Sequence, residues 1–269
     1  MRFMQYGICQ IFSLGDNKMT TNGFDTLLGN SRQITGLKKE LARISQSDEP
    51  ILIEGESGTG KTMIASLLHE NSRRRGNPFF SVNSAAIAEN LAEGELMGSV
   101  PGGFTDARNR PGYFELANGG TLFLDEVSEL STVVQAKLLT LCEGNILYRV
   151  GSINPIKYDV RLMCATNAKM SDCLRKKLFR TDLYYRISVL RIKVPPLREH
   201  IEDIPILIEH FLKSNPEYKN YYFAPDAIEK MLAHNWPGNV RELKNCVYRA
   251  VSLCNGELVQ PEDIIFDQL

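Results

Sequence analysis

The chain has no Cys-x-x-Cys pair; its six cysteines, Cys9, Cys142, Cys164, Cys173, Cys246 and Cys254, are scattered along 269 residues. A zinc site or a disulfide framework needs tighter, patterned spacing, so these read as buried thiols in a reducing compartment. No apolar run approaches the roughly 20 residues that span a bilayer. The opening residues are mildly apolar but interrupted by Arg2, Gln5 and Gly7. They lack the continuous apolar region and small-residue cleavage site of a signal peptide, so a cytoplasmic location is expected. An excess of one charge is also missing: 31 Lys+Arg stand against 32 Asp+Glu, a net charge of −1. That excludes a nucleic-acid binder whose affinity comes from overall positive charge, though not a local basic patch. There is no internal repeat and no low-complexity segment.

What is present is an ordinary globular composition, 43% hydrophobic and 23% charged, sufficient for a real core. The length allows one or two domains. Residues 1–23 carry no clear period and end in a polar stretch, so 1–27 is expected to be a leader or tail. Ile34, Leu37, Leu41 and Ile44 recur at helical spacing, predicting an amphipathic helix over about 31–45. Short apolar runs of strand type follow at Ile51–Glu54, Phe79–Val82, Thr121–Leu124 and Val160–Ala165. Leu190–Val194 alternates like an edge strand, and helical patterns lie between, as at Val133–Leu141. Strands alternating with helices imply an α/β fold with a parallel sheet and helices on both faces, over 28–195. Pro195-Pro196 ends this regime, and only helical patterns are read beyond it, at about 203–214, 225–234 and 238–254. Residues 196–269 are therefore expected to be an all-helical subdomain.

Between the first strand and the next helix stands Gly55-Glu56-Ser57-Gly58-Thr59-Gly60-Lys61-Thr62, a full G-x-x-x-x-G-K-[ST] match. Backbone N–H groups can wrap phosphates closely only where no Cβ intrudes, hence the glycines. Lys61 brings a cation to the β- and γ-phosphates, and Thr62 offers a hydroxyl to Mg²⁺. The following helix adds the positive end of its dipole. A chance Gly-rich turn before a lysine would not also fall between a strand and a helix. Some seventy residues on, an apolar strand ends in Asp125-Glu126. Ligands gather at the carboxyl ends of parallel strands, so Asp125 is suited to hold Mg²⁺ and Glu126 to orient the attacking water. An acidic first helical turn would explain the pair in isolation; after a phosphate loop, the two elements together specify a nucleoside triphosphatase using ATP and Mg²⁺.

From about Leu28 to Ile265 the sequence resembles the AAA+ ATPase domain of bacterial enhancer-binding activators of sigma-54 RNA polymerase. The residues that carry the likeness are Leu52–Lys61, Gly119–Glu126, Ala165-Thr166-Asn167, Phe179–Arg186, Pro195–Glu199 and Trp236–Leu243. The resemblance implies a P-loop fold of AAA+ type with a small helical lid. It makes Asn167 a polar sensor of the γ-phosphate or water, Arg180 and Arg186 arginine fingers for a neighbouring subunit, and Arg241 a second sensor. It makes Asn83 the residue that restrains Glu126 between nucleotide states. A finger supplied in trans makes hydrolysis depend on a ring, here a homo-oligomer expected to be a hexamer. Each arginine taken singly, like Arg73-Arg74-Arg75, would read as a surface ion-pair partner.

The resemblance also assigns a sigma-contacting loop, usually Gly-Ala-Phe-Thr-Gly-Ala, to Gly102-Gly103-Phe104-Thr105-Asp106-Ala107. The Phe-Thr pair is retained, while Asp106 replaces a glycine and Ser99-Val100-Pro101 departs from the usual polar approach. Pro101 stiffens the loop base, and Asp106 removes freedom and adds charge. Retained and lost sigma engagement therefore both stay open. Thr62 stands where the family usually has glutamate and Thr140 where arginine is common.

No regulatory domain and no helix-turn-helix is expected within these residues, so no DNA-binding element is read here. The leading expectation is an ATP-hydrolysing ring motor that remodels the closed complex of sigma-54 RNA polymerase. Beside it stands an interaction protein that joins or modulates rings of a full-length activator. A third reading is an ATPase of this fold acting on an unrelated client.

Overall fold

The computed structural model describes residues 23–103 and 108–267. They pack into two compact units. One comprises Ala42–Glu54 and Thr62–Lys193; the other comprises Phe24–Leu41, Gly55–Lys61 and Val194–Leu269.

The first unit is built on five strands, β1 (Ile51–Glu54), β2 (Phe79–Asn83), β5 (Thr121–Asp125), β8 (Arg161–Thr166) and β9 (Leu190–Lys193). They lie in the order β2-β5-β8-β1-β9, all parallel, which places β9 at an edge as its alternating sequence predicts. A strand's successive side chains point to opposite faces. Leu52, Leu122, Leu124 and Cys164 share one hydrophobic cluster, while Ile51, Ile53, Phe123, Met163 and Ala165 alternate with them and are fully buried too. A sheet dry on both faces must be covered on both, which is why these strands read as unbroken apolar runs rather than as half-polar ones.

The remaining short strands pair locally. β3 (Gly98–Ser99) runs antiparallel to β4 (Arg110–Pro111), and β6 (Ile146–Tyr148) runs antiparallel to β7 (Pro155–Lys157). Helices of this unit include α3 (Ala92–Met97), α4 (Tyr113–Leu116), α5 (Thr132–Glu143), α6 (Met170–Arg175) and α7 (Thr181–Ile187). α5 begins where Ser131 caps it by accepting from Val134 N. α1 (Arg32–Ile44) presents Ile34, Leu37 and Leu41 as its buried stripe. Its last carbonyls are met by a buried cation: Arg161 donates to Ile44 O at 3.1 Å and Ser45 O at 3.0 Å. Burial lowers the Arg161 guanidinium to about 10.

The second unit carries α8 (Ile204–Ser214), α9 (Pro225–Leu232) and α10 (Asn239–Leu253) around Trp236. Pro205 in the first turn of α8 and Pro225 at the head of α9 start helices where no N–H partner is needed. Helical patterns account for most of this unit, with one correction: β10 (Tyr222–Phe223) and β11 (Leu258–Val259) form a parallel pair. Two residues per strand are too few to leave a periodic signal. Asp203, almost wholly buried, ties Asn30 and Ser31 to this unit by accepting their backbone N–H groups at 2.7 and 3.0 Å. No helix among the described residues is long and apolar enough to cross a membrane.

Candidate active site

The phosphate loop leaves β1 at Gly55 and enters α2 (Lys61–Glu70) at Lys61. Gly58 and Gly60 have φ of +79° and +91°, a region that L side chains rarely adopt. At Gly58 a second constraint applies: a Cβ there would sit 2.2 Å from Gly238 O. The loop is closed by its own side chains. Thr59 Oγ1 donates to Glu56 O at 2.8 Å, and Lys61 Nζ donates to Gly55 O at 2.8 Å and Glu56 O at 3.0 Å. Lys61 is thus buried and aimed across the loop's interior, where phosphates would offer its ammonium better acceptors than neutral carbonyls.

Residues at the head of α10 hold this loop. Asn239 Nδ2 donates to Ser57 O at 3.0 Å and to Glu56 Oε2 at 3.2 Å, while its Oδ1 accepts from Leu197 N at 2.8 Å. Arg241 donates from its backbone to Gly58 O and from Nη1 to Ser57 Oγ, both at 3.3 Å. Glu56 also accepts a two-toothed pair from Arg198, at 2.7 and 2.6 Å. Arg241 was expected from sequence; Asn239 and Arg198 were not. Asn239 carries a positive φ of 54°, a conformation that asparagine tolerates better than most non-glycine residues.

The acidic pair ends β5. Asp125 is half-buried and its Oδ2 accepts from Thr62 Oγ1 at 2.9 Å. Asp125 Oδ1 accepts from Glu126 N at 3.0 Å, as the chain turns through an αL conformation at Glu126 (φ 55°, ψ 45°). A non-glycine residue held there costs roughly 1–2 kcal/mol, strain of the kind that collects at functional sites. Asn83, at the end of the neighbouring strand, is the register partner of Asp125. Its Oδ1 accepts from Ala85 N at 2.9 Å, and it does not bond to Glu126 among the described residues. At the end of β8, Asn167 is exposed. Just before it Thr166 Oγ1 donates to Ser128 Oγ at 2.9 Å, linking the β8 terminus to the turn after Glu126.

Thr62, Asp125, Glu126 and Asn83 are thus brought together, and Gly55–Lys61 with Arg241. Arg180 and Arg186 stand elsewhere, both exposed on α7 or its cap. The Arg180 guanidinium grips Asp182 through two bonds, at 3.0 and 2.7 Å, which hold the Asp182 carboxyl down at about 2. Arg186 Nε donates to Cys142 O at 2.7 Å.

Of the loop expected at 102–107, Phe104, Thr105, Asp106 and Ala107 lie outside the described residues. Its stem is described. Gly102 has φ +89°, and Gly103 N donates to Val100 O at 3.1 Å. Val100 N donates to Val150 O at 3.1 Å and Val150 N to Gly98 O at 2.9 Å, so the stem lies against the segment after β6. A Cβ at Gly103 would meet Val150 O at 2.5 Å. Arg149 grips Glu115 with bonds of 2.9 and 2.7 Å beside this stem; neither residue carries a sequence signal.

Residues 27–193 match the sigma-54 interaction domain and residues 198–268 the AAA+ ATPase lid domain. The chain belongs to the sigma-54 interaction domain family. Within this family it is 46% identical over 239 residues to the Nif-specific regulatory protein of Herbaspirillum seropedicae, covering 87% of this chain and 44% of that protein. It is 43% identical over 244 residues to the DNA-binding transcriptional regulator NtrC of Rhizobium meliloti, covering 89% and 49%. The chain spans about half the length of these curated relatives. Among solved structures it is similar to NtrX from Brucella abortus in complex with ATP, with a TM-score of 0.81 and 34% identity over 88% of this chain and 56% of that one. A RuvB mutant of Thermotoga maritima, 14% identical with a TM-score of 0.61, shares the fold.

Proposed function

We propose that the chain is an ATP-hydrolysing ring motor that remodels the closed complex of sigma-54 RNA polymerase. The observation that carries the hydrolytic part is the Thr62–Asp125 contact: a hydroxyl and a carboxylate 2.9 Å apart, directly after the phosphate-loop lysine. Two oxygen donors suit a hard divalent cation, which is usually held by one or two protein ligands together with substrate phosphates. Thr62 and Asp125 would hold Mg²⁺, which when bound neutralises charge on the β- and γ-phosphates. The loop 55–61 wraps the phosphates with its N–H groups, and Lys61 exchanges its carbonyl partners for phosphate oxygens. Glu126 orients and polarises the attacking water, Asn83 restrains it between nucleotide states, and Asn167 and Arg241 respond to the γ-phosphate. Arg180 and Arg186 supply transition-state cations to the neighbouring subunit of a hexameric ring, so hydrolysis requires assembly.

The family match supports sigma-54 as the client, together with the Phe104-Thr105 pair that the sequence retains. In this reading 1–27 is a leader or tail, 28–195 is the nucleotide-binding subdomain and 196–269 is the lid. The test is a reconstituted open-complex assay with sigma-54 polymerase at high protein concentration. ATP-dependent promoter melting is expected; ATPase activity without melting would sink the sigma role and leave the enzyme.

A second reading rests on Pro101 and Asp106, which depart from the family's loop. In it the chain joins rings of a full-length activator and modulates them. Purified protein that forms active homohexamers by itself counts against that reading.

A further inference from the structure

Gln135, on α5, is completely buried. Amide side chains reach such positions only when their polar atoms are matched, and these are. Its Nε2 donates to Leu130 O at 2.8 Å and to Leu178 O at 3.0 Å, and its Oε1 accepts from Arg180 N at 2.8 Å. Leu178 and Arg180 flank Phe179, which is buried in the main core of this unit. The carboxamide therefore pairs with the segment on either side of Phe179 as a neighbouring strand's peptide group would. Leu130 closes the short turn Val127–Glu129 that starts from Glu126. One side chain thus joins the turn that carries Glu126 to the backbone of Arg180.

Arg180 is fixed at both ends. Its backbone N–H is held by Gln135, and its guanidinium is held by Asp182. The exposed ion pair is weak and easily exchanged for another acceptor. The Gln135 amide is not, because its side chain is completely buried and losing it leaves Leu130 O, in a buried bond, without its partner. Arg186 leans on the far end of the same helix, through Cys142 O. α5 is thus a common support for both arginines.

We propose that Gln135 is a positioning residue for ATP hydrolysis in the adjacent subunit: it sets the point from which Arg180 reaches the neighbour's nucleotide. This rests on the ring reading above. A positioning role differs from a merely structural one in where the damage appears. Loss of Gln135 spares the subunit's own nucleotide site and impairs the site next door.

The test uses the full chain and the isosteric Gln135→Met. ATP affinity, measured with a fluorescent ATP analogue, should change less than about threefold, while kcat should fall about 10- to 100-fold, the scale of a misplaced catalytic group. Mixing Gln135→Met with Glu126→Gln should then restore hydrolysis to about tenfold above the sum of the two separate rates. The Gln135→Met subunits keep an intact Glu126 and receive a well-placed arginine from their neighbours. Arg180→Ala mixed with Glu126→Gln is the control. If the control recovers and the Gln135→Met mixture does not, the proposal is overturned and Gln135 acts within its own subunit. If the control itself fails to recover, the ring reading falls and the proposal with it.

Should Gln135→Met fail to fold, Gln135→Glu carries the same test. Its protonated carboxyl still donates once and accepts from Arg180 N, whereas its ionised form donates to neither carbonyl. Its kcat should decline as pH rises from about 6 to about 8, against a flatter native profile, because burial lifts the carboxyl into that window. Matching profiles would overturn the proposal.

Discussion

Thr62 Oγ1 donates to Asp125 Oδ2 at 2.9 Å, although 63 residues separate the two in the chain. Both groups are oxygen donors at the end of a parallel strand or the start of the helix after the phosphate loop. Thr62→Val keeps the side chain's shape and removes the hydroxyl. The Mg²⁺ concentration for half-maximal ATPase should rise about tenfold, equivalent to about 1.4 kcal/mol of lost ligation. Chelation with EDTA should abolish turnover in both proteins. An unchanged Mg²⁺ titration would remove Thr62 from the metal site.

Glu126 carries its carboxylate at a strained αL turn immediately after Asp125. Replacement by Gln keeps the size and loses the base. Turnover of ATP should fall at least about 100-fold, the usual worth of a general base, with nucleotide binding retained. Equal losses of binding and turnover would instead make Glu126 a loop-shaping residue.

Gly58 and Gly60 share a positive φ but differ in surroundings. An added methyl at Gly58 meets Gly238 O at 2.2 Å, while at Gly60 nothing lies within 4 Å. Gly60→Ala should cost about 1–2 kcal/mol from the backbone region alone. Gly58→Ala should cost more, with a correspondingly larger fall in melting temperature. Thermal unfolding of the two variants side by side checks this; equal shifts would remove the Gly238 contact from the account.

Asp203 links Asn30 and Ser31 to the helical unit. Burial pushes its carboxyl up, but hydrogen bonds from Ser31 and Asn30 and the neighbouring His200 outweigh that and hold it below the usual range. An acid with a depressed folded pKa adds stability that is present above its unfolded value, about 3.9, and lost as pH falls through the folded value. Melting temperature measured from about pH 5 down to pH 2 should therefore drop more steeply in the native chain than in Asp203→Asn. Parallel curves would show that the carboxylate's charge contributes nothing there.

Much of the fold was legible because its signals are local. An unbroken apolar run such as Ile51-Leu52-Ile53 has to be a strand buried on both faces, and the match from Gly55 to Thr62 has to be a turn that exposes backbone N–H groups. The helix expected over 31–45 stands at Arg32–Ile44, since Ile34, Leu37 and Leu41 leave one face to bury. The two-residue strands Tyr222–Phe223 and Leu258–Val259 were not legible, because two residues carry no period. Gln135, Asn239 and Arg198 were missed for a different reason. Each is an ordinary polar residue whose role depends on a partner 43, 183 or 142 positions away.

By itself the sequence determined which chemical groups the chain possesses and the order in which it meets them: glycines and Lys61 in one turn, two carboxylates at one strand end, Arg180 and Arg186 within one short motif. These follow from contiguous residues, whose geometry is set by the local backbone. Only the tertiary structure decided which groups meet. The parallel register sets Asn83 opposite Asp125, Asp125 accepts from Glu126 N through one oxygen and from Thr62 through the other, and the buried carboxamide of Gln135 holds the backbone of Arg180. Such pairings depend on how strands and helices pack, and packing is a property of the whole sheet and core rather than of any window of residues.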